Sequence, residues 1–460
     1  MLSFFEKFFP RLTGSLSGPG GQRMLPPPAA CADGDYGEKL ALWADVYAGT
    51  ASWNAPSGQS LHLGSAICRE LSRLTVSELE LGFAGGSRAD FLSRQLGGLA
   101  PMLGVCTEYA CALGGVMLKP YSDGRRIGVE CVLPGHFYPT EISDDGRILS
   151  AVFLYVRSAH GKRYLRAEIH QRFGDGYRIQ NRFFLLENGS LQREVGAACV
   201  PAWERLAPKM QIEPLTQPLF AYFRMPGGSA GQPTSPLGAP VFASALSLIR
   251  DADLQYQRLL WEFEGGTLAV DAAEDAFRPG RDGKPELPVG QERLFRMNCL
   301  DGGGNGELLK TFSPTLRDQS LINGLNRILM FFEDASGVAR GTLSDPCQTA
   351  RTATEIRSMR QRTFTTVAGI QKQLAAALRE LSAAADALCT LYRLCPADGV
   401  TVTADFGDSV LTDTDADRKR DLEEVSCGVL SAEEYRAKWL GTCRSPGGTV
   451  IFDRKADMRI

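Results

Sequence analysis

The chain has 460 residues, 44% hydrophobic and 22% charged, a composition that predicts a folded protein with about two to four domain-sized units. Its net charge of −3 and its pI of about 6.0 argue against tight, sequence-tolerant DNA binding by the monomer. Twelve cysteines without a C-x-x-C pair argue against a disulfide framework and a zinc knuckle. No apolar run approaches membrane-spanning length, so no membrane partner is expected.

The first half of the sequence predicts a loose arm followed by a mixed body. Residues 1–37 are interpreted as a flexible N-terminal arm, because most of this stretch is rich in Gly, Ser and Pro. From Glu38 to about Leu113 the apolar residues recur at helical spacing. Residues 114–190 instead show short alternating segments with turn signals between them, which predicts mostly antiparallel sheet. We therefore expect an α+β body over residues 38–239.

Two helices that bracket a small insert are predicted next. The first occupies residues 240–266, opens at a proline and closes at two glycines. The second occupies residues 313–337 and opens at Ser313-Pro314. Residues 267–312 lie between them and read as short strands and Gly-rich loops. Two such helices can pack side by side and project the insert from the body.

A long helix and a helical tail complete the chain. Residues 338–351 are interpreted as a loop, and residues 352–411 as a long helix followed by a strand. The helix opens at the capping box Thr352/Glu355, and its apolar face is spaced by three and four residues. Residues 412–460 form a helical tail in which Ser431/Glu434 is a second capping box.

The sequence contains no catalytic motif in the context that catalysis requires, so the chain is not expected to be an enzyme or to need a cofactor. The G-x-S-x-G match at residues 227–231 is followed by prolines that forbid the helix of a nucleophile elbow. Gly283-Lys284 precedes a proline rather than Ser or Thr, so there is no P-loop. His136 and His170 fit no metal-ligand spacing and are expected to be structural.

One acidic pattern approaches a calcium loop. It consists of Asp413, Asp415, Asp417, Asp421 and Glu424, at positions 1, 3, 5, 9 and 12 of an EF-hand. Position 6 is Arg418, where the sharp turn requires glycine. Acidic residues at a helix N-terminus explain the same pattern, and no metal site is expected.

Three segments resemble the bacteriophage portal protein family, specifically the portals of tailed phages that infect Gram-positive bacteria. The first runs from Ala112-Leu-Gly-Gly-Val-Met-Leu-Lys-Pro120 through Val132-Leu-Pro-Gly-His-Phe137 to His170. The second joins Tyr222-Phe-Arg to Ser235-Pro-Leu-Gly238. The third runs from Thr352-Ala-Thr-Glu-Ile356 through Phe406-Gly-Asp408 to Tyr435. The resemblance covers about Leu42 to Trp439 and rests on the ordered co-occurrence of these segments.

The resemblance implies a homo-oligomeric ring, usually a dodecamer, at one capsid vertex of a virion assembled in the bacterial cytoplasm. Double-stranded DNA would pass through it non-specifically during packaging and ejection. The other implied partners are the large terminase subunit, a head-completion or adaptor protein, the scaffold and the major capsid protein. In family terms the assignment is a wing (38–239 and 352–411), stem helices (240–266 and 313–337), a clip (267–312), a tunnel loop (338–351) and a crown (412–460).

The resemblance also assigns candidate DNA-contacting residues. Those in the tunnel loop are Arg340, Thr342, Ser344, Gln348 and Arg351. Arg357, Arg360 and Arg362 follow on the long helix, where contact with DNA, ion pairing between subunits and a solvated face all remain open. Residues 250–264 carry two arginines and four acidic residues, and this acidic stem suits a passage that must not hold DNA tightly.

Two alternatives remain open at this point. The chain could be another ring-forming capsid or connector component that does not carry the motor. It could also be a soluble α+β hydrolase or lyase, which would require a pocket of perturbed acids that the sequence does not reveal.

Overall fold

The computed structural model describes residues 34–54, 58–187, 190–228, 236–273, 295–298, 309–345, 353–407 and 414–440. Helices and sheets both contribute, so the predicted α+β class is confirmed. The chain divides into two units, one that ends at Phe406 and one that begins at Gly407. The predicted N-terminal arm lies outside the described residues, except for its last four positions.

Four helices precede the main sheets, as the helical spacing predicts. They are α1 (Gly34–Ala48), α2 (Leu63–Val76), α3 (Ser87–Leu96) and α4 (Ala100–Leu113). Their apolar faces pack inward, and Ile67, Leu71 and Leu92 are fully buried. Within the described residues no single helix is long and apolar enough to span a membrane, although α3 and α4 together pass that test as a pair bent by 65°.

A strand that the sequence did not predict lies among these helices. Strand β1 (Glu80–Gly85) pairs antiparallel with β14 (Val400–Asp405), so that Glu80 lies opposite Asp405 and Gly85 opposite Val400. This two-stranded sheet joins two segments of the body that are far apart in sequence.

The predicted antiparallel sheet forms as two layers. Its strands are β2 (Gly115–Ser122), β3 (Ile127–Val132), β4 (Phe137–Ile142), β5 (Ile148–Ala159), β6 (Lys162–Phe173), β7 (Gly176–Glu187), β8 (Ser190–Val195), β9 (Lys209–Ile212) and β10 (Ala221–Arg224). The larger sheet has the order β4-β5-β6-β7-β8, with β9 also paired to β7, and the smaller has the order β10-β2-β3. The core side chains Phe153 and Phe220 pack edge to face with ring centroids 5.5 Å apart.

The long helix α7 (Ala353–Leu391) packs on the body through its predicted apolar stripe. The stripe comprises Val367, Ile370, Leu374, Leu378, Leu381, Ala385 and Leu388, each at most 6% exposed. Burial of one such leucine stabilises the fold by about 1.5–3 kcal/mol, so this face fixes the helix against β2, β10 and β14. Its predicted capping residue Thr352 lies outside the described residues.

The two bracketing helices are α5 (Leu246–Gly265) and α6 (Asp318–Ser336). Between them lies a three-stranded sheet of β11 (Ala269–Ala273), β12 (Phe295–Asn298) and β13 (Leu309–Phe312), in which β11 pairs parallel to β12 and antiparallel to β13. Helix α6 begins at Asp318, so the predicted start at Ser313-Pro314 is wrong. The Arg317 N–H is instead bound by Glu262 of α5 at 3.0 Å, which sets the start of α6.

The second unit contains α8 (Thr414–Ser426) and α9 (Ala432–Leu440). The predicted capping box at α9 is confirmed, because Ser431 N–H donates to Glu434 at 3.0 Å and Glu434 N–H donates to the Ser431 hydroxyl at 3.2 Å. The acidic residues from Asp415 to Glu424 lie on α8 rather than in a loop, so they do not form an EF-hand. The described residues contain no cluster of His, Cys, Asp and Glu that could hold a metal, and the cysteines among them are free thiols.

Candidate functional site

The helices α5 and α6 form an antiparallel hairpin with the three-stranded sheet at its tip. Near the body, the Ser244 hydroxyl donates to the Ala335 carbonyl at 3.0 Å. Midway, the Gln255 amide donates to the Leu321 carbonyl at 3.3 Å. At the tip, the Arg317 guanidinium binds the Glu262 carboxylate at 2.7 Å. The start of α5 lies beside the end of α6, and the end of α5 lies beside the start of α6. The two helices are therefore antiparallel.

A buried carboxylate holds the hairpin to the body. Asp253 of α5 is 1% exposed, and its two oxygens accept hydrogen bonds from four donors of the segment that precedes α2. These are Trp53 Nε1 (3.0 Å), Asn54 Nδ2 (3.0 Å), Ser60 Oγ (3.2 Å) and Leu61 N (2.8 Å). A buried carboxylate is stable only when it is saturated with donors, so these bonds fix the position of α5 on the body.

Both helices of the hairpin and the residues that flank them expose large apolar side chains. Trp261 at the end of α5 is 66% exposed. Others on the hairpin and its flanks are Phe263, Leu268, Leu316, Ile322 and Phe331, which are 36–53% exposed. Residues 318–329 of α6 include none that is fully buried, although their apolar residues recur at helical spacing. We call these six exposed side chains the hairpin patch. Exposed apolar side chains in this number on one hairpin are typical of an interaction surface.

The predicted acidic surface of the stem is wrong. Of the four carboxylates counted from the sequence, Asp253 is buried in the body contact and Glu262 is bound to Arg317. The Arg317 hydrogen bonds lower the pKa of Glu262, so it stays ionised within its pair. The remaining Asp251 and Glu264 are balanced by Arg250 and Arg258, which leaves this helix close to neutral on its surface.

A second buried carboxylate organises the predicted tunnel loop. Glu333, in the last turn of α6, is fully buried. Its oxygens accept hydrogen bonds from the backbone N–H groups of Gly341 (3.1 Å), Leu343 (2.6 Å) and Ser344 (2.8 Å), and from the Ser344 hydroxyl (2.7 Å). The loop is therefore folded around a fixed negative charge.

The turn into this loop depends on Gly337. Its φ of 75° is left-handed, and a Cβ there would lie 2.8 Å from the Thr366 hydroxyl of α7. That hydroxyl donates to the Gly337 carbonyl at 2.7 Å, and Thr363 accepts the Ala339 N–H at 2.8 Å. The end of α6 is thus joined directly to the side of the long helix, as the predicted closure at Gly337 requires.

Asp334 pairs with two of the candidate arginines. Its oxygens lie 2.5 Å from Arg340 of the loop and 2.5 Å from Arg362 of α7. The hydrogen bond from Arg340, helped by Arg362, lowers the pKa of Asp334 against the opposing effect of burial. The two guanidinium groups are about half exposed, so one face of each remains open to solvent.

The structure brings together four of the predicted DNA-contacting residues. Arg340 and Arg362 meet at Asp334, and the Thr342 hydroxyl donates to the Ala339 carbonyl at 2.6 Å. Ser344 is 4% exposed and bound to Glu333, so its predicted contact with DNA is contradicted by its burial. The other candidates, Gln348, Arg351 and the side chains of Arg357 and Arg360, lie outside what the structure describes.

Sequence reasoning missed Glu333 and Asp334, the two residues that organise this region. A signal was present, because acidic side chains in the last turn of a helix oppose its macrodipole and must be stabilised by other groups. Asp253 gave no comparable signal, since its donors lie about 200 positions earlier in the chain.

A buried polar network within the body bears on the hydrolase alternative. Lys119 Nζ donates to Glu168 (2.9 Å) and to the Tyr155 hydroxyl (2.6 Å). His170 Nε2 lies 2.9 Å from the other oxygen of Glu168, and Nδ1 lies 3.1 Å from the Tyr177 hydroxyl. Burial alone would raise the pKa of Glu168, but the charge of Lys119 and the bond to His170 hold it well below its usual range.

This network is structural in its geometry. An ionised Glu168 can only accept, so His170 Nε2 carries a proton, and a neutral imidazole then accepts at Nδ1 from the Tyr177 hydroxyl. Burial lowers the pKa of His170 in agreement with this tautomer. None of these five side chains lines the cavity of about 580 Å³ found in the body. The prediction that His170 is hydrogen-bonded is confirmed.

No protein-family model and no curated protein matches the chain. A chain of a structure described as the virion of a native gene transfer agent particle is 12% identical, with 89% of this chain and 94% of that chain covered and a TM-score of 0.45. A chain from the neck of the native particle, computed with C12 symmetry, is 12% identical over 87% and 92% of the two chains, with a TM-score of 0.42. At these scores neither likeness establishes what this chain does.

Proposed function

We propose that this protein is a ring-forming structural component of a phage-like head, a portal through which double-stranded DNA passes. The observation that carries the proposal is the antiparallel hairpin of α5 and α6, anchored to the body by Asp253 and carrying a small sheet at its tip. This arrangement supports the stem and clip that the sequence resemblance implies.

The hairpin patch provides the reason for ring formation. A single copy leaves Trp261, Ile322 and Phe331 in contact with water, although their helices are amphipathic. If neighbouring hairpins pack side by side, each copy presents two different faces, and such a heterologous contact closes into a ring when the rotation between copies permits it. We propose a dodecamer in which the stem helices line the central axis.

The charges near the loop suit the passage of DNA. Because Arg340 and Arg362 share Asp334, their net charge is reduced while they stay accessible. Fewer counterions are then released on contact with phosphate, and the contact is correspondingly weak. We propose that these two arginines, with Thr342, touch the sliding duplex. In the same scheme the small sheet docks the large terminase subunit and later an adaptor protein, and the body meets the scaffold and the major capsid protein at one vertex of the virion.

Ring formation is tested by the substitution Trp261→Asp. Negative-stain images and mass photometry of the unchanged protein under assembly conditions are expected to show rings with a central hole. An aspartate in the patch places a charge in a buried interface, so Trp261→Asp is expected to remain monomeric. Ile142→Asp, a change of the same kind on an exposed strand end of the body, is the control and is expected to form rings. Intact rings of Trp261→Asp would contradict the stem interface.

Another ring-forming connector that does not carry the motor remains the second candidate, because the exposed patch favours assembly in both cases. The two differ in the role of the loop. Reversal of both charges in Arg340→Glu/Arg362→Glu should leave rings intact and impair packaging or retention of the genome in a portal. Unchanged packaging would favour the other connector.

A further inference from the structure

A cavity of about 580 Å³ lies in the body, away from the hairpin. Its walls come from the start of β5, the end of β6, the segment 216–224 and one face of α7. The volume is typical of a small-ligand site. Neither the sequence resemblance nor the proposed function uses it.

The cavity collects more positive than negative charge. Three arginines line it, Arg147, Arg172 and Arg224, against the two carboxylates of Asp145 and Glu380. They arrive from three separate strand ends, so the collection is a product of the fold and not of a charged run in the sequence. A convergent set of guanidinium groups is the usual protein receptor for carboxylate and phosphate.

The carboxylates neutralise only part of this charge. Glu380 of α7 accepts two hydrogen bonds from Arg147, at 2.9 and 3.2 Å. Asp145 lies at the exposed rim, where bonds from Ser143 and the Arg147 N–H lower its pKa. Glu380 therefore interacts with the Arg147 side chain, and Asp145 interacts with the turn that contains Arg147. Arg172 and Arg224 form no ion pair with a carboxylate among the residues that the structure describes.

Arg224, one of the cavity-lining arginines, has an unsatisfied hydrogen-bond donor. Its Nε is buried and has no hydrogen-bond partner. Buried polar groups in native proteins are almost always bonded to protein, water or a ligand, and an anion in the cavity that Arg224 lines would give its guanidinium an acceptor.

A neutral donor stands beside Arg224. The Tyr222 hydroxyl accepts the Gly238 N–H at 3.2 Å, so its own hydrogen is the donor that it can offer. Burial raises the pKa of Tyr222 to about 12, and the hydroxyl therefore keeps that hydrogen at neutral pH. Two arginines and a phenol with N–H and O–H donors thus lie among the residues that line the cavity.

We propose that this cavity binds a small oxyanion, a ligand that carries a carboxylate or phosphate group, between Arg172, Arg224 and Tyr222. Isothermal titration calorimetry with inorganic phosphate and with citrate, each at an ionic strength matched with sodium chloride, distinguishes the two ligand classes. We expect at least one of the anions to bind the unchanged protein. Arg224→Gln should weaken that binding by about tenfold or more, since bonds to charged groups contribute about 1.5–3 kcal/mol.

Two further variants separate the site from general charge and from misfolding. Arg193→Gln removes an equally positive, exposed side chain of β8 outside the cavity and should leave binding unchanged. Glu380→Gln removes a repelling carboxylate and releases Arg147, so it should tighten binding about two- to fivefold. A damaged fold cannot produce that gain. The proposal is overturned if neither anion binds, or if Arg224→Gln binds as tightly as Arg193→Gln while its melting temperature is unchanged.

Discussion

Glu333 and Ser344 are joined twice, through the backbone N–H of the serine at 2.8 Å and through its hydroxyl at 2.7 Å. The same carboxylate also receives the N–H groups of Gly341 and Leu343. One side chain at the end of a helix therefore determines the conformation of the loop that follows it.

Glu333→Gln is expected to destabilise the protein and to loosen this loop. The amide replaces a carboxylate oxygen with a donor that faces other donors, at a cost of about 3 kcal/mol in the free energy of unfolding. Urea denaturation of the unassembled protein measures the loss, and limited proteolysis should show faster cleavage within 338–345. Glu264→Gln, on an exposed position of α5, is the control and should change stability by less than about 0.5 kcal/mol. Equal stability of the two variants would refute the role of Glu333.

Asp334→Asn is expected to strengthen DNA binding with little effect on stability. The pair is largely exposed, so the loss in the free energy of unfolding should stay below about 1 kcal/mol. The negative charge of Asp334 would then no longer offset Arg340 and Arg362, and the affinity of the rings for duplex DNA should rise at low salt with a steeper salt dependence. Fluorescence anisotropy over a series of salt concentrations measures both quantities. An unchanged slope would show that these arginines do not meet DNA.

Asp253→Asn is expected to detach the hairpin from the body. The neutral amide cannot accept from all four donors, and each buried donor left unpaired costs about 1–3 kcal/mol. Asp251→Asn, two positions earlier on the same helix but exposed, should be nearly neutral. Hydrogen exchange followed by mass spectrometry should show faster exchange in α5 of Asp253→Asn alone. Similar exchange in both variants would mean that other contacts hold the helix.

Acidification is expected to destabilise the body through His170 and Glu168. Both have folded-state pKa values below their usual ones, His170 mainly because it is buried and Glu168, against its burial, because of Lys119. The unfolded chain therefore binds more protons, and stability falls as the pH drops below about 6.5 for the imidazole and below about 4.3 for the carboxylate.

Chemical denaturation at pH 7.5 and 5.5 tests the histidine part of this dependence. His170→Gln removes the titrating ring and should lose less stability between the two pH values than the unchanged protein. His160→Gln removes an exposed imidazole from the β5–β6 turn and should keep the original dependence. If the slope is the same for all three proteins, His170 does not contribute to it.

Periodicity was sufficient for the long elements and not for the contacts between them. The apolar spacing of α7 predicted its buried face, because one side of a long helix must pack throughout. Strand β1 escaped notice because its sequence is short and glycine-containing, and only its partner near residue 400 makes it a strand.

In the candidate site, too, the elements were predictable from the sequence and the contacts between them were not. The hairpin was predictable from two amphipathic segments around a Gly-rich insert. The burial of Asp253 was not, because charge counting treats every carboxylate as solvated and the donors that desolvate this one belong to a distant segment. The pairing of Arg362 with Asp334 likewise depends on how α6 and α7 pack, which local sequence does not encode.

The pairing of β1 with β14 also determines when this protein can finish folding on the ribosome. The N-terminal member of the pair is synthesised early, whereas its partner is translated only after the hairpin and the long helix. The backbone N–H and C=O groups at the edge of β1 therefore stay unpaired during most of translation. Nascent chains that stop short of residue 405 should consequently need protection from chaperones that completed chains do not.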